Sequence, residues 1–172
     1  FEAEQVRKRD GGPYAVFTPF RNAAYARLRE EPMRPAAAPR LPPPAKGLRD
    51  AGLGVLASRA GHGGDGPELP SAGSDAARRR LSRFLEAGLP HYEKDRDLPA
   101  RDGTSRLSPY LRFGAISVRD CVHAARDAAA DEAGLRRGAR AWIDELMWRD
   151  FYAAVLGCCS AATKPAGIGC AG

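Results

Sequence analysis

Residues 31 to 72 open with EPMRPAAAPRLPPPAKGLRDAGLGVLASRAGHGGDGPELP, and proline or glycine interrupts them throughout. Proline fixes φ and removes a backbone donor, and glycine adds conformational entropy that folding must overcome. No apolar period survives more than a few residues here, so the segment reads as a linker between two packing regions. The chain has 172 residues, enough for about one domain. With 14 prolines and 19 glycines crowded into this stretch and the final one, the two cores should be smaller than the length suggests.

Before the linker, PYAVFTPF at 13–20 reads as a short buried strand or extended segment ending at Pro19. FRNAAYARLRE then reads as a helix with Ala24 and Leu28 on one face. After the linker, SDAARRRLSRFLEAGL begins with Ser74 as an N-cap and carries Ala77, Leu81, Phe84 and Leu85 at helical spacing. Gly88 and Pro90 are expected to end that helix, and HYEKDRDLPARDG to follow as a polar loop. Ser117 with Asp120 three residues on forms a capping-box-like start. Val118, Cys121, Val122 and Ala125 make the buried stripe behind it. DEAGLRRGAR is a connector, and a last helix is predicted from about Ala139 to Val155. Nothing after Phe17 alternates as a sheet strand would, so the second region is expected to be helical.

The net charge is +6 and the pI about 9.5. That balance suits a polyanionic partner such as nucleic acid, and equally suits a plain arginine- and alanine-rich composition. The cysteines are Cys121, Cys158, Cys159 and Cys170, none in a CxxC spacing, so no metal site is expected and the thiols fit a reducing compartment. No apolar run approaches the roughly 18 residues of a membrane span. The charged opening FEAEQVRKRDGG has no apolar segment behind it and is not expected to be a leader peptide. It also lacks an initiator Met, so the chain reads as a piece of something longer. A cytoplasmic monomer is expected.

Two stretches carry chemistry. In GTSRLSPYLRFG, 103–114, Ser108 before Pro109 is a strong helix start. Its free N–H groups, the hydroxyls of Thr104, Ser105 and Ser108, and the Arg106 cation could together hold a phosphate or pyrophosphate. An ordinary hydroxyl-rich cap without a ligand explains the same residues. The stretch is no P-loop, because it lacks the glycine spacing and the lysine. In ARAWIDELMWRDFYAAV, Ile143, Met147, Phe151 and Ala154 cluster on one side at about 100° per residue. Glu145, Trp148, Arg149 and Tyr152 cluster on another, with Trp142 at its edge. Such a face can stack a flat ring and hydrogen-bond its polar edge. It can equally be a Trp/Tyr pair packed into a neighbouring helix, with Glu145 and Arg149 as an i, i+4 ion pair.

Taken together and in order, FTPF (17–20), YEKDRDLPARDGTSRLSPYLRFGAISVR (92–119) and WIDELMWRDFY (142–152) resemble the photolyase/cryptochrome family, nearest its bacterial cyclobutane pyrimidine dimer photolyases. The resemblance implies an α-helical FAD-binding domain of photolyase type, incomplete, over residues 73–156. Residues 1–30 would be the tail of a Rossmann-like α/β domain, which in such proteins can hold an antenna pigment. By match, Tyr92 and the run Thr104, Ser105, Arg106, Leu107 and Ser108 would hold the FAD phosphates and ribityl region. Trp142 would contribute to the flavin pocket, and Arg149 would lie near the flavin. Glu145 and Trp148 would be the catalytic pair, the first hydrogen-bonding a flipped-out pyrimidine dimer and the second packing against it. Arg96 would meet a phosphate of UV-damaged DNA, on a surface shared with Glu145, Trp148, Arg149 and Tyr152. The family reaction is light-driven electron transfer from reduced flavin, which splits the dimer.

The resemblance ends at about residue 156, where AAVLGCCSAATKPAGIGCAG takes over. Family members continue well beyond this point, so the chain is expected to be a fragment, with an unmatched, disordered tail at 157–172. With so little core to offset backbone entropy, a loose, partly helical chain is expected. A cryptochrome-type light sensor and an inactive remnant are the rival readings.

Overall fold

The structure, a computed structural model, describes residues 5–30, 42–43 and 69–162, with side chains to residue 157. Two compact units divide the chain, residues 1–35 with 72–172, and residues 36–71. Every regular element in the described part of the first unit is a helix or helical turn, without a strand among the described residues. The expected structure of the linker and of residues 163–172 lies outside the described residues.

Helix α1 spans Phe17–Glu30 and buries Phe17, Phe20, Ala24 and Leu28 along one stripe. The expected strand ending at Pro19 is therefore corrected: FTPF is the first turn of the helix. Proline fits there because the first-turn N–H groups have no intrahelical acceptor to lose. Helix α2 spans Ser74–Arg83. Its cap is Gly73, at φ 94°, and Ser74 is its first helical residue and makes no capping bond, contrary to expectation.

Gly88 and Pro90 do not stop the chain's coiling. A π-type turn at Phe84–Gly88 passes into a 3₁₀ turn at Leu89–His91 and then into the short helix α3, Tyr92–Asp95. A side chain at Gly88 would start 2.6 Å from a carbon of the Phe84 ring, so glycine here makes room for that ring. Pro90 lies in the first turn of its 3₁₀ segment, again where its missing N–H costs nothing. The expected polar loop thus begins with a helical turn that buries Tyr92.

Helix α4 is only Ser108–Arg112. Helix α5 spans Val118–Asp131 and starts as predicted, with the Asp120 N–H donating to Ser117 Oγ at 3.0 Å. A 3₁₀ turn at Ala133–Leu135 leads into α6, Arg136–Ala162, 27 residues long. It starts before Ala139 and runs past Val155 into the expected tail. The reason is local: LGCCSAA contains one glycine and no proline, and a single glycine costs a helix about 1 kcal/mol without breaking it.

Helix α6 packs against α1, α3, α5 and the turns at 89–91 and 133–135. It supplies Trp142, Ile143, Leu146, Met147 and Phe151 to a single apolar cluster. Leu89, Leu107 and Cys121 in that cluster are completely buried. A loose chain was the expectation, and a shared core is found, because one long helix packs against α1, α3, α5 and the turns between them.

Candidate functional site

The outer face of α6 carries Glu145, Trp148, Arg149 and Tyr152, set three and four residues apart so that they share one side. Glu145, Arg149 and Tyr152 are exposed and Trp148 is half-buried. Trp142, expected at the edge of this face, points inward and is 2% exposed. Its indole lies 4.8 Å from the Phe84 ring, and Phe84 meets the Tyr92 ring edge-on at 5.5 Å. The Trp148 ring stacks on Phe17 of α1 at 3.6 Å with an 11° tilt, and Tyr152 flanks it at 5.6 Å. Of the two arrangements open from sequence, the described geometry is the packed one, with α1 as the neighbouring helix.

Glu145 does not pair with Arg149. Its Oε1 accepts from Arg96 Nη1 at 2.8 Å, while Arg149 Nη1 reaches Asp150 at 3.1 Å. The residue following α3 thus delivers a guanidinium to the carboxylate of α6. Tyr92, at the start of α3, feels the same carboxylate: burial first, then the Glu145 charge, push its phenol up to about 12, with Arg96 opposing. Tyr92, Arg96 and Glu145 form one cluster.

The 103–108 segment is a second cluster. Arg80 of α2 donates from Nε to the Ser105 carbonyl at 2.9 Å, and its Nη2 lies 3.9 Å from Asp102. Arg106 Nε reaches the same carboxylate oxygen at 2.6 Å. Arg106 adopts φ 51°, a left-handed conformation that costs a side-chain-bearing residue about 1–2 kcal/mol. Gly103 is buried against α3, where a Cβ would sit 2.5 Å from Asp95 Cβ. The loop is pinned to the same helix that positions Arg96. Ser108 is not the cap of α4; Leu107 is, with no side-chain cap bond, while the Leu107 N–H donates to Ser105 Oγ at 3.4 Å. The side chains of Thr104 and Ser108 are exposed and have no hydrogen bond among the described residues. The cluster offers hydroxyls, first-turn N–H groups and two guanidiniums, with Asp102 partly balancing the charge.

Three contributors escape sequence reasoning. Phe17 as the stacking partner of Trp148, and Arg80 and Asp102 as the brace of the 103–108 segment, are all distant in sequence or unmarked by spacing. Among the described residues, no group of three or more His, Cys, Asp or Glu could hold a metal ion. None of their helices is long and apolar enough to cross a membrane.

No family model matches the chain. Curated relatives do. The sequence is 40% identical over 160 residues to the deoxyribodipyrimidine photo-lyase of Halobacterium salinarum, covering 88% of this chain and 32% of that protein. It is 38% identical over 140 residues to the deoxyribodipyrimidine photo-lyase of Escherichia coli, covering 81% and 29%. The enzyme of the same name from Thermus thermophilus is 40% identical over 140 residues, covering 80% and 28%. The chain spans about a third of the length of the relatives it matches.

Proposed function

This chain carries a segment of the photolyase family, and on that premise we propose that it is the part of a deoxyribodipyrimidine photo-lyase that faces both the flavin and the lesion. In this reading residues 73–156 are the opening helices of an FAD-binding domain, and residues 1–30 close a preceding α/β domain. The carrying observation is the α6 face: a carboxylate, Glu145, held by a cation from another element, Arg96, beside the ring pair Trp148 and Tyr152.

The 103–108 segment fits a dinucleotide's phosphates. Gly103 lets the loop pack closely on α3, and the Thr104 and Ser108 hydroxyls are exposed near Arg106 in the chain. Tyr92 and the loop from Thr104 to Ser108 would hold the phosphate and ribityl end, with Arg80 bracing the loop. Trp142 shapes the pocket from behind, through Phe84, rather than offering an open ring face. FAD, when bound, supplies light-driven one-electron chemistry. The chain's own residues bind and orient. Arg96 exchanges Glu145 for a DNA phosphate, where a charge-assisted bond to an accessible anion is favourable. Glu145, so released, hydrogen-bonds the polar edge of a flipped-out pyrimidine pair. Trp148 and Tyr152 provide the apolar wall, and Arg149 lies on the same face. Extrusion costs least for an already unstacked, damaged pair, which favours the lesion over intact DNA.

One observation favours the rival reading of a remnant without repair activity: the Trp148 ring lies between Phe17 and Tyr152, so a lesion must displace a neighbour to reach it. The deciding experiment is the absorption spectrum after incubation with FAD and desalting, followed by blue-light repair of a thymine-dimer oligonucleotide. Retained flavin with repair supports the photolyase reading. Retained flavin without repair supports a sensor of cryptochrome type, and loss of flavin sinks both in favour of a remnant.

A further inference from the structure

A groove of about 260 Å³ opens on the other side of α6, between α1, α5 and α6. Its floor is apolar, made by Ala129 of α5 and by Ala139 and Ile143 of α6. Its rim is cationic, with Arg126 of α5 and Arg136 and Arg140 at the start of α6. Tyr25 of α1 also lines it. At about 100° per residue, Arg136, Arg140 and Ile143 fall on the side of α6 opposite Glu145 and Tyr152. The groove therefore belongs to neither cluster described above.

The rim cations are not consumed by carboxylates. Among the described residues Arg126 has no hydrogen-bond or ion-pair partner. Arg136 uses only Nε, on the Ala129 carbonyl at 3.5 Å. Arg140 lies over the Tyr25 ring at 5.2 Å. The acid beside Tyr25, Asp144, is already occupied: Tyr25 donates its hydroxyl to Oδ1 at 2.8 Å, and Arg21 reaches Oδ2 at 3.4 Å. Three guanidiniums over an apolar floor, beside a ring whose hydroxyl is turned to Asp144, select a particular chemistry. The occupant must carry a phosphate for the guanidinium forks and a flat apolar body for the floor and the ring.

We propose that this groove is a second, small-molecule binding site that takes a phosphate ester with a flat ring, of mononucleotide size. The size follows from the volume, which falls just below the usual range of ligand pockets, about 300 to 1,000 Å³. A long polyanion would use the rim and leave the concave apolar floor empty, so a free mononucleotide is favoured over a DNA strand.

The test is calorimetric titration of the full chain with AMP, adenosine, inorganic phosphate and a short single-stranded oligonucleotide. AMP is expected to bind at least about tenfold more tightly than adenosine or phosphate, because only it engages rim and floor together. Arg126→Ala with Arg136→Ala should weaken AMP at least about tenfold, and Ala129→Leu, which fills the floor, should weaken it comparably while phosphate is unaffected. Arg106→Ala and Glu145→Gln, in the other two clusters, should leave AMP binding unchanged. The proposal fails if AMP does not bind, or if AMP binding survives the arginine pair, or if it is lost in Arg106→Ala instead. It fails equally if only the oligonucleotide responds to the arginine pair, since the rim is then a nucleic-acid surface. Circular dichroism of each variant separates lost binding from lost folding, and the exposed arginines provide the arm that does not disturb the core.

Discussion

Burial lifts the Tyr92 phenol and the Cys121 thiol each to about 12, from ordinary values of 10 and 9. Both groups hold their proton more tightly folded than unfolded. Their contribution to stability is whole below the unfolded pKa and is lost as pH rises through the folded one. Urea midpoints measured from about pH 8 to about pH 12 should therefore begin to fall near pH 9 and steepen above pH 10. Tyr92→Phe should flatten part of the fall above 10, the rest belonging to Tyr25, whose phenol is also pushed up by burial and the bond to Asp144; an unchanged slope would place the alkaline loss elsewhere. The buried thiol should also resist alkylation at neutral pH when Cys158, Cys159 and Cys170 are replaced by serine, reacting only on unfolding. The pair Arg96–Glu145 behaves differently. Its side chains are 33% and 44% exposed, so solvent screens the 2.8 Å contact. Arg96→Ala should change unfolding free energy by less than about 1 kcal/mol. Under the proposed function it should nonetheless weaken binding to UV-irradiated DNA, and a loss of stability without a loss of affinity would make the pair structural.

Capping separates elements that look alike in sequence. Ser74, Ser108 and Ser117 all precede helical patterns, yet only Ser117 accepts a capping bond, from the Asp120 N–H. Ser117→Ala should cost about 1 kcal/mol by thermal denaturation. The matching changes at Ser74 and Ser108 should stay within about 0.5 kcal/mol. Equal losses at all three would refute the cap assignment. A second element-level constraint lies where α6 crosses the 89–91 turn. A Cβ on Gly138 would collide with the Leu89 carbonyl oxygen, and that atom is backbone and cannot swing away. Helix propensity alone would make Gly138→Ala stabilising by about 1 kcal/mol. Overpacking, about 1–3 kcal/mol, opposes it, and the collision with backbone makes a net loss the expected result. A gain in melting temperature would mean the turn relaxes.

The first unit is held together by α6, and α1 is its most distant recruit in sequence. Phe17 stacks on Trp148, Phe20 meets Phe151 edge-on at 5.4 Å, and Arg21 with Tyr25 binds Asp144. Trp148→Ala should cost about 2 kcal/mol, less than the roughly 3–5 of a fully buried Trp, because the indole is half-buried. Its signature is local: amides of α1 should exchange faster while those of α5 keep their protection. Uniform acceleration would mean that α1 and α5 open as one unit rather than separately. The same variant bears on function, because it also removes a wall of the proposed lesion site.

The helical class, the stripes of α1, α2 and α5, the Ser117 cap and the two faces of α6 were legible in the sequence. Period, cap and breaker are local properties, carried by residues within a turn or two of one another. The family was legible as well, from three separated stretches of text. The extent of the helices was not: Pro19 and Pro90 read as stops but lie in first turns, where a missing N–H costs nothing, and Gly88 reads as a breaker but is a space for Phe84. The partners of the site residues were not legible either. Glu145 had Arg149 one turn away as the mate in one of two open readings, and found Arg96 instead, 49 residues distant. Sequence determined which side chains shared a helix face. Only the packing of α1 and α3 on α6, and of the 103–108 loop on α2 and α3, decided which of them met across elements, because those contacts depend on how the chain returns on itself.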